Sequence, residues 1–272
     1  MKKYDIGFIG CGNMGGSLLK AVVKAVDAEN IAVCSRSKAT ADAKAEEFGV
    51  VSTTIEDIAE NCSWIFLAVK PQTYPEVCGQ IKDILIKRYD AKDRFVIVSM
   101  AAGIKTTKVT ELLGRDYPVI RMMPNTPSAV GMGMITYCSN DEVSKDDIIT
   151  FVTHIQAAGL ADSLDEKLMD AGCALAGCGP AFVYMFIDAL AKGGEDCGID
   201  REKAIAYAVQ TIKGSAALLE NSKEEPDVLR DRVCSPGGST IEGVKLLQNK
   251  AFEDIVRAAV EASYKRNIEL GK

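Results

Sequence analysis

Histidine is almost absent: His154 is the only one in 272 residues. The nine cysteines are odd in number, and no two of them are spaced C-x-x-C. Together these scarcities argue against a structural zinc site and against a disulfide framework. No metal is expected, and reduced thiols in a cytoplasmic setting are. An excess of positive charge is missing too. With 32 Lys and Arg against 38 Asp and Glu, the formal net charge is −6. That balance disfavours non-specific binding to nucleic acid or to an anionic membrane. No uninterrupted apolar run reaches ~18 residues, so no membrane-spanning helix is expected. The opening "MKKYDIGFIGCG" carries two lysines, but its apolar run is short and ends in glycines. It reads as a first strand and not as a signal peptide. Repeats, low-complexity tracts and Pro-rich linkers are lacking as well.

What is present is a globular composition, 47% hydrophobic and 26% charged, in a chain long enough for two modest domains. "YDIGFIG" is a mostly apolar strand, "GCGNMG" follows it, and "SLLKAVVKAV" repeats apolar residues at helical spacing. Gly10, Gly12 and Gly15 hold the G-x-G-x-x-G spacing in the strand–turn–helix context that a dinucleotide pyrophosphate requires. Asn13 and Met14 lie within the same loop. An ordinary glycine-rich turn is the bland alternative. Further strands are predicted at 31–35, 64–69, 95–100, 118–123, 133–138 and 159–163, with helices over 38–48, 73–87, 105–113 and 144–157. Such alternation predicts an α/β domain over residues 1–162, with a doubly wound, mainly parallel sheet of the Rossmann type. Ligands then meet the C-terminal ends of the strands, where Ser35-Arg36, Lys70-Pro71, Ala101-Ala102-Gly103 and Pro124-Asn125 stand.

The second strand is followed by Ser35-Arg36-Ser37-Lys38, with no acid. An acid there would grip a ribose 2′-hydroxyl and repel a 2′-phosphate, whereas hydroxyls and cations receive the phosphate. NADPH is therefore expected in preference to NADH, with Ser35, Arg36 and Lys38 as its contacts.

From residue 163 to 272 the strand pattern stops and an all-helical domain is predicted. Gly179-Pro180 separates two helical stretches, as a proline suited to a first turn would. Apolar faces in this half exceed what a lone small domain buries, so dimerisation through it is expected. Within it lies "CSPGGSTIEGVKLLQ". Ser239 to Glu242 forms a capping-box pattern before an amphipathic helix, and Gly237 and Gly238 free the backbone before it. Two readings stay open: an anion site at a helix N-terminus, or merely a well-capped helix. His154 sits in a helical pattern outside any motif and is read as structural.

"VCSPGGSTIEGVKLLQ" resembles the signature of the pyrroline-5-carboxylate reductase family, which closes proline biosynthesis. "AVKP", "MAAG", "RMMPNTP", "GCGPAF" and "AVEASYKRNIEL" resemble the same family in order, across essentially the whole chain. The resemblance implies a Rossmann domain, a helical dimerisation domain and assembly into dimers, in some members into rings of dimers. It implies NAD(P)H-dependent reduction of a cyclic imine, a small-molecule substrate held by Ser235, Gly238, Ser239 and Thr240, and a cofactor on the glycine loop, Ser35, Ala68 to Pro71 and Met100 to Ala102. Thr240 is the candidate for orienting the ring nitrogen. The resemblance implies a loop after the family's third strand, which here reads "TTIEDIAE"; the sequence departs from the family there at Ile55, where many members have Asn, and also at Ser239, where Ala is common, and at Cys178, where Ser is common. A β-hydroxyacid dehydrogenase would need a lysine on the first long helix of the second domain, and "GCALAGCGPAFVYMF" has none. A non-catalytic NADP-binding paralogue would be expected to show a degraded loop, and "SPGGST" is intact.

Overall fold

A computed structural model describes residues 2–271. The chain divides into two compact units, one running up to Cys178 and joined by the segment from Ser263, the other Gly179–Ala262. The pattern of strands ends earlier, at Ser163.

The first unit is built on one eight-stranded sheet. Its strands are β1 (Tyr4–Ile9), β2 (Ile31–Cys34), β3 (Val51–Ser52), β4 (Cys62–Leu67), β5 (Val96–Ser99), β6 (Val119–Met123), β7 (Gly133–Ser139) and β8 (Gly159–Ser163). Their spatial order is β3-β2-β1-β4-β5-β6-β7-β8. The first six run parallel, β7 runs antiparallel to β6, and β8 is parallel to β7. β1 lies inside the sheet, between β2 and β4, and the chain leaves it first on one side and then on the other. The crevice beyond the ends of β1 and β4 is therefore the topological switch point.

Helices α1 (Asn13–Val22), α2 (Lys38–Phe48), α3 (Ile55–Asn61), α4 (Tyr74–Asp90), α5 (Thr106–Leu113) and α6 (Lys145–Ile155) cover the two faces. Side chains alternate across the pleat. Phe8, Val33, Phe66 and Val98 share one core with Leu18, Leu19 and Phe151. Ile9, Leu67, Ile97 and Val119 share another with Ile58, Ile81 and Val109. Burial on both faces explains why the central strands are almost wholly apolar.

The expected loop "TTIEDIAE" is instead largely helix α3. Thr54 Oγ1 accepts the Asp57 N–H at 3.2 Å, and Glu56 and Asp57 lie in the first turn, so the helix is capped and charge-matched at its start. Two-residue β3 was too short to read as a strand.

After α7 (Met169–Gly172) comes a π-helical turn, Cys173–Gly177. The second unit then holds α8 (Gly179–Asp196), α9 (Arg201–Ser222), α10 (Pro226–Arg232), α11 (Ser239–Asn249) and most of α12 (Phe252–Leu270). Pro180 sits in the first turn of α8, where its missing N–H breaks no helical bond. α8 and α9 pack together. Apolar side chains nevertheless point outward, Met185 being 73% and Tyr207 61% exposed. Among the described residues one helical stretch, Glu166–Asp196, is long and apolar enough to cross a membrane by length and composition, against the expectation of none. Isolated polar residues break its apolar runs, so a count of uninterrupted apolar residues passes over it. All nine cysteines are free thiols.

Candidate active site

Parallel pairing aligns the strand ends in a row. Cys34 pairs with Ile9, Ile9 with Leu67, and Leu67 with Ser99. One residue further on, Ser35, Gly10, Ala68 and Met100 therefore stand side by side along one edge of the sheet. This edge gathers the cofactor candidates of the first unit.

Gly10 has φ +102, and a Cβ there would lie 2.5 Å from the Ala68 carbonyl oxygen. Only glycine combines that conformation with that approach. Gly12 is the N-cap of α1 and has nothing within 4 Å of a built Cβ, so the backbone at this point is open to a ligand. No side chain caps α1, and no acid stands in its first turn. Its leading N–H groups and positive dipole end are left for an anion. Gly15 packs against the Gly10 carbonyl, while Asn13 is exposed and Met14 half-buried.

Beyond β2, Ser35 is half-buried, and Arg36 is exposed with no side-chain partner among the described residues. Lys38 is exposed and pairs with Asp42 one turn along α2, at 3.0 Å. Asp42 also accepts from Ser52 Oγ at 2.6 Å, and these hydrogen bonds hold its carboxyl below the usual range. The loop itself has no acid, but Lys38 brings one with it.

Ala68 and Val69 are half-buried, Lys70 is exposed, and Pro71 opens a short 3₁₀ turn. Met100 and Ala101 are buried, and Ala102 is half-buried. Beneath these segments lies Tyr74, which the sequence did not single out. Its hydroxyl donates to the Leu67 carbonyl at 2.9 Å, sits 2.9 Å from Ser99 Oγ, and accepts the Met100 N–H at 3.3 Å. Burial pushes the phenol's pKa up, so it stays neutral and pins the ends of β4 and β5 to each other. Its one sequence signal is a tyrosine three residues after Pro71, at the start of a helix.

Asn125 differs from the other candidates. It is buried, its Oδ1 accepts the Met134 N–H at 3.0 Å, and its Nδ2 donates to the Ala176 carbonyl at 3.0 Å. Both ends of the carboxamide are engaged within the protein. His154 is buried against the edge of Trp64, away from these strand ends.

In the second unit, Ser235, Pro236, Gly237 and Gly238 form a tight turn. The Gly238 N–H donates to the Ser235 carbonyl at 3.0 Å, and Gly237 has φ +74. Proline followed by a positive-φ glycine is the signature of a type II turn. The capping box expected at Ser239 is not formed. Gly238 is the N-cap, with φ −79 and ψ 166, and no side chain caps the helix. Ser239 is already the first helical residue, so its hydroxyl is one position late for the N-cap role. Positive φ falls on Gly237, whereas Gly238 approaches the Ser235 carbonyl closely, at 3.1 Å from a built Cβ. The first turn of α11 thus presents backbone N–H groups that no side chain caps. Ser235, Ser239 and Thr240 are exposed, and their hydroxyls have no partner among the described residues. This arrangement can receive a carboxylate and offer hydroxyls to a second polar atom of the same ligand.

Known proteins carry the same two parts. A family model described as pyrroline-5-carboxylate reductase dimerisation matches residues 166–270, and one described as NADP oxidoreductase, coenzyme F420-dependent, matches residues 5–103. A pyrroline-5-carboxylate reductase of Aquifex aeolicus is 34% identical over 94% of this chain and 93% of its own. One of Arabidopsis thaliana is 34% identical over 100% of this chain and 97% of its own. The solved structure of a Plasmodium falciparum pyrroline carboxylate reductase with NADP bound superposes with a TM-score of 0.89 at 32% identity, covering 100% of both chains. Identity at this level over the full length of both partners decides the matter: the chain belongs to the pyrroline-5-carboxylate reductase family of oxidoreductases.

Proposed function

We propose that the chain reduces L-1-pyrroline-5-carboxylate to L-proline, with NADPH as the preferred cofactor. The observation that carries this reading is the first turn of α11. It is uncapped, it stands behind a proline–glycine turn, and around it are three hydroxyls without a partner among the described residues. A carboxylate on a small ring suits the N–H groups of Ser239 and Thr240 together with the Ser235 hydroxyl. Gly238, with no side chain, keeps the approach clear.

Gly10, Gly12, Asn13, Met14 and Gly15 would hold the pyrophosphate. Ser35 and Arg36, with Lys38 at the rim, would receive the 2′-phosphate. Ala68, Val69, Lys70, Pro71, Met100, Ala101 and Ala102 would line the remainder. Asn125 acts here by holding the Cys173–Gly177 turn through Ala176 and does not need to touch the ligand. When bound, the reduced nicotinamide supplies the hydride that goes to the imine carbon, and C=N becomes a single bond as nitrogen keeps or gains a proton. The Thr240 hydroxyl orients the ring nitrogen. It is too weak an acid to be the main proton source, so positioning is the protein's principal contribution.

The outward apolar faces of α8, α9 and α12 are read as the surface that pairs two protomers, the dimer being the minimum unit and a ring of dimers its further elaboration. The same reading absorbs the apolar stretch Glu166–Asp196 without a membrane, in keeping with a cytoplasmic enzyme whose partners include neither membrane nor nucleic acid. Adding the imine to protein and NADPH tests the activity. Loss of the reduced-nicotinamide absorbance with stoichiometric proline is the expected result. Cofactor binding without turnover would leave a non-catalytic nucleotide-binding protein.

A further inference from the structure

The last turns of α12 behave unlike the rest of that helix. Residues Phe252 to Ala262 group with the helical unit, whereas Ser263 onward group with the sheet unit. The one buried residue on α12 is a carboxamide, Asn267, at 6% exposure. Asparagine is seldom buried without a specific partner. Asn267 Nδ2 donates to the Asp170 carbonyl at 3.0 Å. The Asp170 carboxylate in turn accepts from Arg121 Nη2 at 2.6 Å, and Arg121 is wholly buried on β6. One turn beyond Asn267, two glycines meet backbone to backbone. A Cβ on Gly103 would lie 2.6 Å from the Gly271 nitrogen and 3.0 Å from the Asn267 carbonyl oxygen. A Cβ on Gly271 would lie 2.4 Å from the Gly103 carbonyl oxygen. Gly103 also has φ +76. Neither position admits a side chain while the other stays in place.

Gly103 closes the turn that begins at Met100, in the row of strand ends that holds Gly10 and Ala68. We infer that the end of α12 is a positioning clamp for the cofactor: Asn267 fixes the helix end to Asp170, and Gly271 sets the Met100–Gly103 turn against which the cofactor lies. Asn267 and Gly271 act through that turn and touch no reactant. The inference rests on the proposed role of Met100 to Ala102 as cofactor wall. It gives a helix otherwise assigned to dimerisation a second task in the nucleotide-binding unit.

Four variants and one measurement on the unaltered protein test the clamp. Asn267→Ala removes the hydrogen bond, and Gly271→Val drives the two backbones apart. Gly114→Ala is the control for lost stability. It strains a glycine at φ +85 that ends α5, at the opposite edge of the sheet. Ala102→Asp alters the wall directly. The clamp predicts that Asn267→Ala and Gly271→Val raise the Kd for NADPH by about tenfold, because small displacements of a positioning segment are costly. The KM for the imine should stay within about twofold, since substrate contacts lie on another segment. Gly114→Ala should lower the melting temperature and leave both constants alone. In the unaltered protein, NADPH should slow hydrogen exchange at the Met100–Gly103 amides and at the end of α12 together. Unchanged NADPH affinity in both Asn267→Ala and Gly271→Val, or cofactor protection of the turn without the helix end, overturns the clamp. If Ala102→Asp also binds NADPH normally and the turn gains no protection, the cofactor-wall assignment itself has failed.

Discussion

At the scale of single residues, Arg36 stands exposed beyond β2 with no side-chain partner among the described residues, while Lys38 is tied to Asp42. The discrimination between NADPH and NADH should therefore rest mainly on Arg36 and Ser35. Arg36→Glu is expected to lower kcat/KM for NADPH by roughly tenfold or more, through loss of a charge-assisted contact and added repulsion, and to change NADH use little. Steady-state rates with both cofactors check this, and equal losses would contradict it. His154 makes a different prediction. Burial holds its pKa below the ordinary value, with Asp5 pulling the other way, and its Nδ1 has no hydrogen-bond partner among the described residues. The folded state therefore favours neutral imidazole, while the unfolded chain takes up a proton near pH ~6.5. Protons bind more to the unfolded state, so stability falls as pH drops through that value. His154→Leu should flatten the urea midpoint between about pH 7 and 5. The carboxylates held low, Asp57, Asp93 and Asp147, should lose their contribution only nearer pH ~4. The structural role of His154 was legible, since its helical pattern lay outside every motif. Tyr74 was not, because a phenol that pins two strand ends is recognisable only once those strands are neighbours.

At the scale of elements, the loop before α11 carries the substrate claim. A Pro-Gly turn is legible in Ser-Pro-Gly-Gly, because proline presets one turn position and glycine admits positive φ at the next; that Gly237 and not Gly238 takes it is seen only in the structure. The capping box could not be settled that way. Ser239 to Glu242 matches the pattern, but whether Gly238 or Ser239 is the N-cap depends on where the helix starts. A shift of one residue turns a capping hydroxyl into a free one. α3 shows the reverse case: Thr54 and Asp57 held a real cap that a loop reading passed over. If the Thr240 hydroxyl serves the substrate, Thr240→Ala should reduce kcat/KM for the imine by roughly 10- to 150-fold. NADPH affinity and melting temperature should hardly change, and Thr240→Ser should keep most of the rate. Unchanged kcat/KM in Thr240→Ala would retire the role of that side chain. A lower melting temperature with intact kinetics would make the loop no more than a helix start.

At the scale of the whole molecule, the alternation of strands and helices made the sheet legible, and its end near Ser163 with it. The return of residues after Ser263 to the sheet unit was not legible. Apolar periodicity marks which face of a helix is buried, not which neighbour buries it. The outward apolar residues of the helical unit motivate the dimer. Light scattering should find at least two protomers at micromolar concentration, and Met185→Glu, which charges the most exposed apolar position on α8, should shift the population toward monomer. A stable, active monomer in the unaltered protein would contradict this. The central claim is that this chain passes a hydride from a nicotinamide cofactor to a cyclic imine. Supplying NADPH deuterated at the transferable C4 position, together with unlabelled pyrroline-5-carboxylate, and reading the proline by mass spectrometry and NMR tests it most directly. The predicted result is one deuterium on the former imine carbon. Proline without deuterium, or no proline from a protein that binds both ligands, would contradict the account.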